Sequence, residues 1–307
     1  MTRFTKLTAV AAAALLSAPA FAAMTTDANL ELDNYYQNYS KGLQQSGRVE
    51  FNVAGMAGDA NGFVAGRGTL EIKKSGTVGP ADMWGQIGTG MADVKLGRFE
   101  ATDMFPLGKD VSVVSLADAS SGWRNVLRGR YDTQFHGALT VNPGSGVGFE
   151  LGVVETKTAT LEKGIRPIVS FAAGPVAVKV GLASGKFVGG DKFSGFNATV
   201  GGAFEGVGFN VNLGTGKYKP VGGGTSTKAT SFGANATFGP AGVGVISDSD
   251  KTGSDKNSDF VVYAAYSIPL FNTGATLTPA FSHQTGKENG VKNKAGSEVK
   301  VRLNYTF

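Results

Sequence analysis

Apolar side chains recur at every second position through most of this chain. Val49, Phe51 and Val53 alternate with Arg48, Glu50 and Asn52. Val147, Phe149, Leu151 and Val153 alternate with Gly148, Glu150 and Gly152. Val207, Phe209, Val211 and Leu213 alternate with Gly208, Asn210 and Asn212. A period of two places successive side chains on opposite faces of an extended strand, so the chain reads as strands with one apolar and one polar face. Beyond the first two dozen residues no apolar run approaches the roughly 18 residues that a membrane-spanning helix needs. The fold class expected is all-β.

The opening residues, MTRFTKLTAVAAAALLSAPAFAA, differ from the rest. Arg3 and Lys6 precede an apolar run from Ala9 to Leu16, and Ala20-Phe21-Ala22 has the small-x-small pattern of a cleavage site. Residues 1–22 are therefore expected to be a secretory signal and 23–307 a single β-barrel domain. Without Arg3 and Lys6 the formal charge falls from +5 to +3, too small to point to a nucleic-acid partner. Cysteine is absent, so an exported chain must hold itself together without disulfides.

A soluble sandwich would bury the apolar faces against each other. Here the polar parity is rich in Gly, Ala, Ser, Thr and Asn, as a wet lumen would be. Connections alternate in length: Gly174-Pro175, Glu205-Gly206 and Gly239-Pro240 are tight. Thr156 to Gly164, Ser184 to Lys192, Thr215 to Thr227 and Asp248 to Ser258 read as long and hydrophilic. Short turns at one end and long loops at the other mark a transmembrane antiparallel β-barrel, which must close because an open edge would leave backbone groups unpaired in lipid. Sixteen strands are expected, near 28–39, 47–56, 62–73, 81–89, 93–99, 123–141, 147–155, 165–173, 175–183, 193–204, 207–214, 228–238, 240–247, 259–268, 274–284 and 297–307. Fourteen is the second choice. Residues 24–46 form either the first strand or a segment in the lumen, and 123–141 are read as one long tilted strand.

Between the fifth and sixth expected strands lies a long connection with Glu100, Asp103, Asp110 and Asp118. The next strand carries Arg124, Arg128 and Arg130 on one parity, with Asp132, Gln134 and His136. Acidic loop and arginine row are either two opposed charged walls across a hole or a solvated acidic loop beside a basic strand. Other inward-parity charges are Arg48, Glu50, Arg67, Glu71, Lys73, Glu150, Arg166, Lys179, Lys300 and Arg302. Trp84 also falls inward. Arg98 falls outward by strict alternation, unless Gly97 bulges the strand and re-aims it.

The leader, the terminal Phe307, and LGRFEATDMF followed by a loop and SGWRNVLRGRYD resemble the general diffusion porins of Gram-negative bacteria. The resemblance implies an outer-membrane location and a third loop folded into the lumen. It implies a pore constriction built from Arg98, Glu100, Asp103, Asp110, Asp118, Arg124, Arg128 and Arg130. The Gly-Arg-Phe-Glu wording looks closer to sugar-conducting members, which implies stacking faces for solutes at Trp84, Phe105 and Trp123. Expected partners are outer-membrane lipid and small hydrophilic solutes and ions; monomer and homotrimer both stay open, because the outer loops look short.

Enzymatic patterns are missing from the sequence. Gly185-Lys186, Gly216-Lys217 and Gly286-Lys287 lack the upstream Gly and following Ser/Thr of a phosphate loop. His136 and His283, the two histidines, fall on opposite parities, and no Gly-x-Ser-x-Gly occurs. No cofactor and no metal are expected. The function expected is passive diffusion of small hydrophilic solutes, with sugars as the expected class; the alternative is a closed or plugged structural or adhesive barrel.

Overall fold

The computed structural model describes residues 23–40, 42–109, 122–156, 161–292 and 295–307. Sixteen antiparallel strands form one closed barrel. In chain order they are β1 Ala23–Gln37, β2 Leu43–Gly58, β3 Phe63–Lys73, β4 Val78–Gly88, β5 Ala92–Arg98, β6 Phe135–Gly144, β7 Val147–Glu155 and β8 Leu161–Ala173. They continue as β9 Val176–Phe187, β10 Lys192–Phe204, β11 Val207–Lys219, β12 Thr227–Phe238, β13 Ala241–Thr252, β14 Asp255–Tyr266, β15 Ala275–Glu288 and β16 Gly296–Thr306. Ile268–Leu270 prolongs β14 along β15, and Val291–Lys292 is a short return against the end of β15.

Each strand pairs with its neighbours in sequence, and β1 pairs with both β2 and β16. The last residue joins this seam: Ala28 and Phe307 exchange backbone hydrogen bonds of 2.8 and 2.9 Å. Every sheet edge is thereby removed, the condition for crossing lipid. Phe51, Val64, Ile87, Leu182, Val211, Phe232, Phe260 and Phe281 are exposed on the outer face. Their alternates, among them Asn52, Asn197, Asn212, Ser231 and Ser282, are buried on the inner face. The apolar parity is thus the outside.

The turns at the end that holds both termini are tight. Ser145-Gly146 and Glu205-Gly206 both have positive φ at both residues, the twist that joins antiparallel strands in two residues. At the opposite end the connections are shorter than the sequence led us to expect. β13 and β14 are joined by Gly253-Ser254 alone, and β9 runs to Phe187 and β11 to Lys219. The hydrophilic stretches read as loops are largely strand, because paired backbone continues past the apolar band with polar residues on both faces. Residues 24–37 belong to β1, paired on both sides, rather than to the lumen.

The sixth strand is the main correction. It begins at Phe135, not at residue 123. Asn125, Leu127 and Arg130, none of them glycine, take the left-handed region, which breaks a strand, and Gly129 makes an isolated bridge to Glu100. The unbroken alternation from Leu127 to Val141 is coincidental before Phe135. Leu127 is buried inside the barrel, packed with Trp123, Val154 and Leu161.

Candidate functional site

The chain leaves β5 at Gly97 (φ 121°), where a Cβ would overlap the backbone of Met83. The next residues turn into the barrel. Phe99 stacks on His136 with ring centroids 4.0 Å apart and is buried with Ala101 and Ala138. Arg166 Nη2 donates to the Thr102 carbonyl at 2.6 Å, and Thr199 Oγ1 donates to the Met104 carbonyl at 3.2 Å. The Pro106 carbonyl accepts from Asn212 and Asn235, and Tyr263 donates to the Leu107 carbonyl at 2.7 Å. Residues 99–109 thus rest on the inner faces of β8 and β10–β14.

The return limb uses the same wall. The Trp123 N–H donates to Ser231 Oγ at 2.7 Å, and its side chain is fully buried. Cβ atoms added at Gly195, Gly214 or Gly216 would overlap Trp123, and one at Gly233 would press on Phe105. Gly195, Gly216 and Gly233 are therefore seats for aromatic rings of this segment, and Gly214 makes room for the Trp123 carbonyl. Trp123 and Phe105 show almost no surface, so neither offers the stacking face expected of it. Trp84 does point inward, partly exposed, with Lys95 Nζ 4.5 Å above its ring.

Arg128 and Arg130 do not form a wall facing Glu100 and Asp103; they share a segment with these two acids and pair with them. Arg128 Nη2 lies 3.1 Å from Glu100 and 3.5 Å from Asp103. Arg130 Nε lies 3.1 Å from Asp82 and 3.7 Å from Glu100. Arg124 sits apart, 3.0 Å from Asp248 on β13. Arg98 joins Asp132 at 2.8 Å and the Ala81 carbonyl. Asp110 and Asp118 lie outside the described residues.

The inner faces of β16, β1, β2 and β3 carry a ladder of charges. Lys300 pairs with Glu298 (3.3 Å) and Asp33 (3.7 Å). Arg302 joins Asp33 (2.6 Å) to Glu31 (3.0 Å). Arg48 contacts Glu31, Glu50 and Glu71 at 3.6, 3.5 and 3.1 Å, and Lys73 reaches Glu71 at 3.3 Å. Arg67 continues toward Asp82 at 3.8 Å, which leads to Arg130 and Glu100. A nearly continuous charged strip therefore links the barrel wall to the inward segment.

The two halves of the interior differ in wetness. Under the segment, Ala229, Asn212 and Ser231 are completely buried. Along the strip, the side chains of Arg48, Arg67, Glu100 and Asp103 keep 35, 38, 38 and 32% exposure although they point into the barrel. Inward charges with that much accessible surface require water beside them.

Sequence reasoning placed Arg48, Glu50, Arg67, Glu71, Lys73, Lys300 and Arg302 correctly on the inner face. It missed Glu31 and Asp33, which lie in the strand whose status was open. It also missed Asp82, although Asp82 shares the inward parity of Trp84 two residues on. Gly68 opposes Met83 but Leu70 opposes Pro80, so Ala81 and Asp82 lie together opposite Thr69. This bulge breaks the parity of β4 only on the side before Asp82.

Comparison with known proteins supports the architecture. A loop-deletion mutant of OmpT, an outer membrane protein of Vibrio cholerae, superposes with a TM-score of 0.71 at 12% identity, covering 93% of this chain and 99% of that one. An anion-selective porin from Comamonas acidovorans matches with a TM-score of 0.67 at 15% identity, covering 93% and 100%. A mutant porin of Rh. blastica matches with a TM-score of 0.60 at 12% identity, covering 92% and 100%. At these identities the likeness is one of fold. No family model and no curated protein matches the chain.

Proposed function

We propose that this barrel lies in the outer membrane of a Gram-negative bacterium and works as a porin, a passive channel for small hydrophilic solutes. The observation that carries this reading is the partial exposure of the inward charges on β2 and β3 and on the segment facing them. The inward segment fills the β8–β14 side and leaves a charged lane along β16 and β1–β4. Glu100 and Asp103, with their arginine partners, edge the lane on the segment side; Arg48, Arg67, Lys73, Lys300 and Arg302 edge it on the barrel side.

A lane of mixed, mutually paired charges acts by ordering water and orienting dipoles. An apolar solute would have to disrupt that ordered water, whereas a solute carrying hydroxyls exchanges hydrogen bonds with both walls. Fixed charge along the path also biases which ions enter. Sugars fit this lane as polyhydroxylated solutes, held by hydrogen bonds to guanidinium and carboxylate groups. Trp84 is the aromatic of the three placed to meet them. Residues 1–22 are read as the export signal that brings the barrel to its membrane.

Reconstitution into a planar bilayer tests this reading. Stepwise, ohmic current increments in salt are expected, together with swelling of sugar-loaded liposomes. Correctly folded protein that inserts without current steps would leave the plugged structural barrel instead.

A further inference from the structure

One cation inside the barrel lacks the counter-charge that its neighbours have. Along the lane Arg48, Arg67, Lys73, Lys300 and Arg302 each lie no more than 3.8 Å from a carboxylate oxygen. Under the inward segment Lys179 and Lys109 donate to the Asp103 carbonyl and the Ser267 hydroxyl. Lys95 on β5 points inward, since Val94 and Leu96 on either side of it are exposed on the outer face. Among the described residues it has neither kind of partner. Its Nζ stands instead between two rings, 4.5 Å from the centroid of Trp84 and 5.6 Å from that of Phe99. The faces of both rings attract a cation, which fixes the ammonium in place without neutralising it.

The wall around Lys95 is built from small and uncommitted side chains. Across the strands Lys95 faces Gln86 on β4, and Gln86 faces Ala65 on β3. This row lies one inward step, about 7 Å, nearer the termini than the row of Arg67 and Trp84. The Gln86 amide makes no side-chain hydrogen bond among the described residues, and Ala65 leaves the wall low beside it. The nearby acids do not serve the ammonium. Asp82 is taken by Arg67 and Arg130, and Asp93, two residues toward the termini on the same face, forms no ion pair with Lys95. On the β6 side Ala138, opposite Lys95, is buried with Phe99 and Ala101, which leaves the lane as the direction of approach. A cation without a counter-charge, an unused amide and a partly exposed indole therefore stand together on adjoining strands.

We propose that this cleft is a subsite for a monoanionic sugar acid, such as a hexuronate, on its way along the lane. The carboxylate meets the Lys95 ammonium, ring hydroxyls meet the Gln86 amide, and the apolar face of the ring lies on the accessible part of Trp84. A bare anion uses the first of these contacts alone, and a neutral sugar the other two. Along the rest of the lane the basic groups are already matched by acids, so a passing carboxylate finds no unshared cation there. At Lys95 it completes a pair. The pair faces water and is screened by salt, so it holds the solute weakly enough to release it. The inference rests on the reading of the lane as a path for hydroxylated solutes, and adds the charge of the solute that it retains.

The chain holds two tryptophans and Trp123 is fully buried, so quenching of intrinsic fluorescence by iodide reports Trp84. In the detergent-purified full chain at fixed ionic strength, iodide should quench the parent at least threefold more steeply than Lys95→Gln. Lys95→Arg should keep the parental slope. Sodium glucuronate should protect the parent from iodide in a saturable manner, at a concentration at least tenfold below that needed with sodium acetate or glucose. Gln86→Leu should cost glucuronate its advantage over acetate. Heat-resistant gel mobility checks folding, and if Lys95→Gln does not fold, the comparison of the parent with Gln86→Leu decides. Equal protection by acetate would make Lys95 a site for any small anion and overturn the proposal. Equal protection by glucose, or glucuronate protection undiminished in Lys95→Gln, would do so by removing the ammonium from the site. Current steps in a bilayer without glucuronate protection would fail this inference and leave the channel standing. Protection in a protein that gives no current steps would do the reverse.

Discussion

The Trp123 indole occupies the space above Gly216, so that a side chain at Gly216 would run into its six-membered ring. This seat, shared with Gly195, and the room that Gly214 leaves for the Trp123 carbonyl hold the return limb of the inward segment against the barrel wall. Gly216→Val should expel the ring, because overlap with a rigid indole on a sheet cannot be relieved by a rotamer change. Trp123→Ala leaves the seat empty and should cost about 3–5 kcal/mol, as expected for a buried aromatic. Both variants should unfold at lower denaturant than the parent and give noisier single-channel current. Quiet current and parental stability in both would mean that the seat does not hold the segment.

Ion selectivity should respond to the arginines through the acids they pair with. Arg128→Ser with Arg130→Ser releases Glu100 and Asp103 from their arginines and leaves Asp82 with Arg67 at 3.8 Å. The reversal potential in a salt gradient should move toward cations at low salt. The shift should shrink near 1 M salt, where the Debye length is about 3 Å. Adding Arg124→Ser should contribute little, since its partner Asp248 lies away from the lane. An unchanged reversal potential at low salt would place the pair outside the ion path.

Barrel closure should depend on Asp33. Arg302 grips it with two hydrogen bonds of 2.6 and 2.7 Å across the β1–β16 seam, and Lys300 lies 3.7 Å away. Asp33→Ala removes the two hydrogen bonds from Arg302, which keeps Glu31 as Lys300 keeps Glu298, and should cost about 2 kcal/mol. Loss of heat-resistant gel mobility at a lower temperature is the readout. Deletion of Phe307, which removes two backbone hydrogen bonds to Ala28, should act in the same direction. Parental mobility in both would show that the seam is secured elsewhere.

Much of this fold was legible from alternation alone, since a period of two fixes the strand faces wherever an apolar band meets lipid. Val207, Phe209, Val211 and Leu213 were placed outward for that reason. The inward segment was harder. Its glycine seats on β10–β12 look like the small residues of a wet lumen, and only a ring lying on Gly216 tells the two apart. Residues 123–134 alternate as a strand would, yet Leu127 serves the interior and Arg130 takes a left-handed turn. Pairing between Arg128 and Asp103 depends on a chain reversal that local periodicity does not encode. At the far end, Lys217 and Lys251 were taken for loop residues because polarity was read as the end of pairing.

High pH should loosen the return limb. Burial pushes the Tyr131 phenol up to about 12, opposed in small part by Arg166. With a folded value above the unfolded one, near 10, the stabilisation is complete below pH 10 and is lost as pH rises toward about 12. Tyr131→Phe should therefore flatten the decline in stability over that window relative to the parent. Identical pH profiles would mean that Tyr131 ionises as freely in the barrel as in the unfolded chain.

The central claim is that solutes pass along β16 and β1–β4, beside the inward segment and not through the wall beneath it. The chain has no cysteine, so single cysteines report position without background. With Arg48→Cys or Lys73→Cys, a charged methanethiosulfonate reagent added to an open channel should reduce the current within seconds. With Ser231→Cys or Ala229→Cys, under the segment and fully buried, the same reagent should leave the current unchanged. Block at residues 229 and 231 with no effect at 48 and 73 would contradict the account.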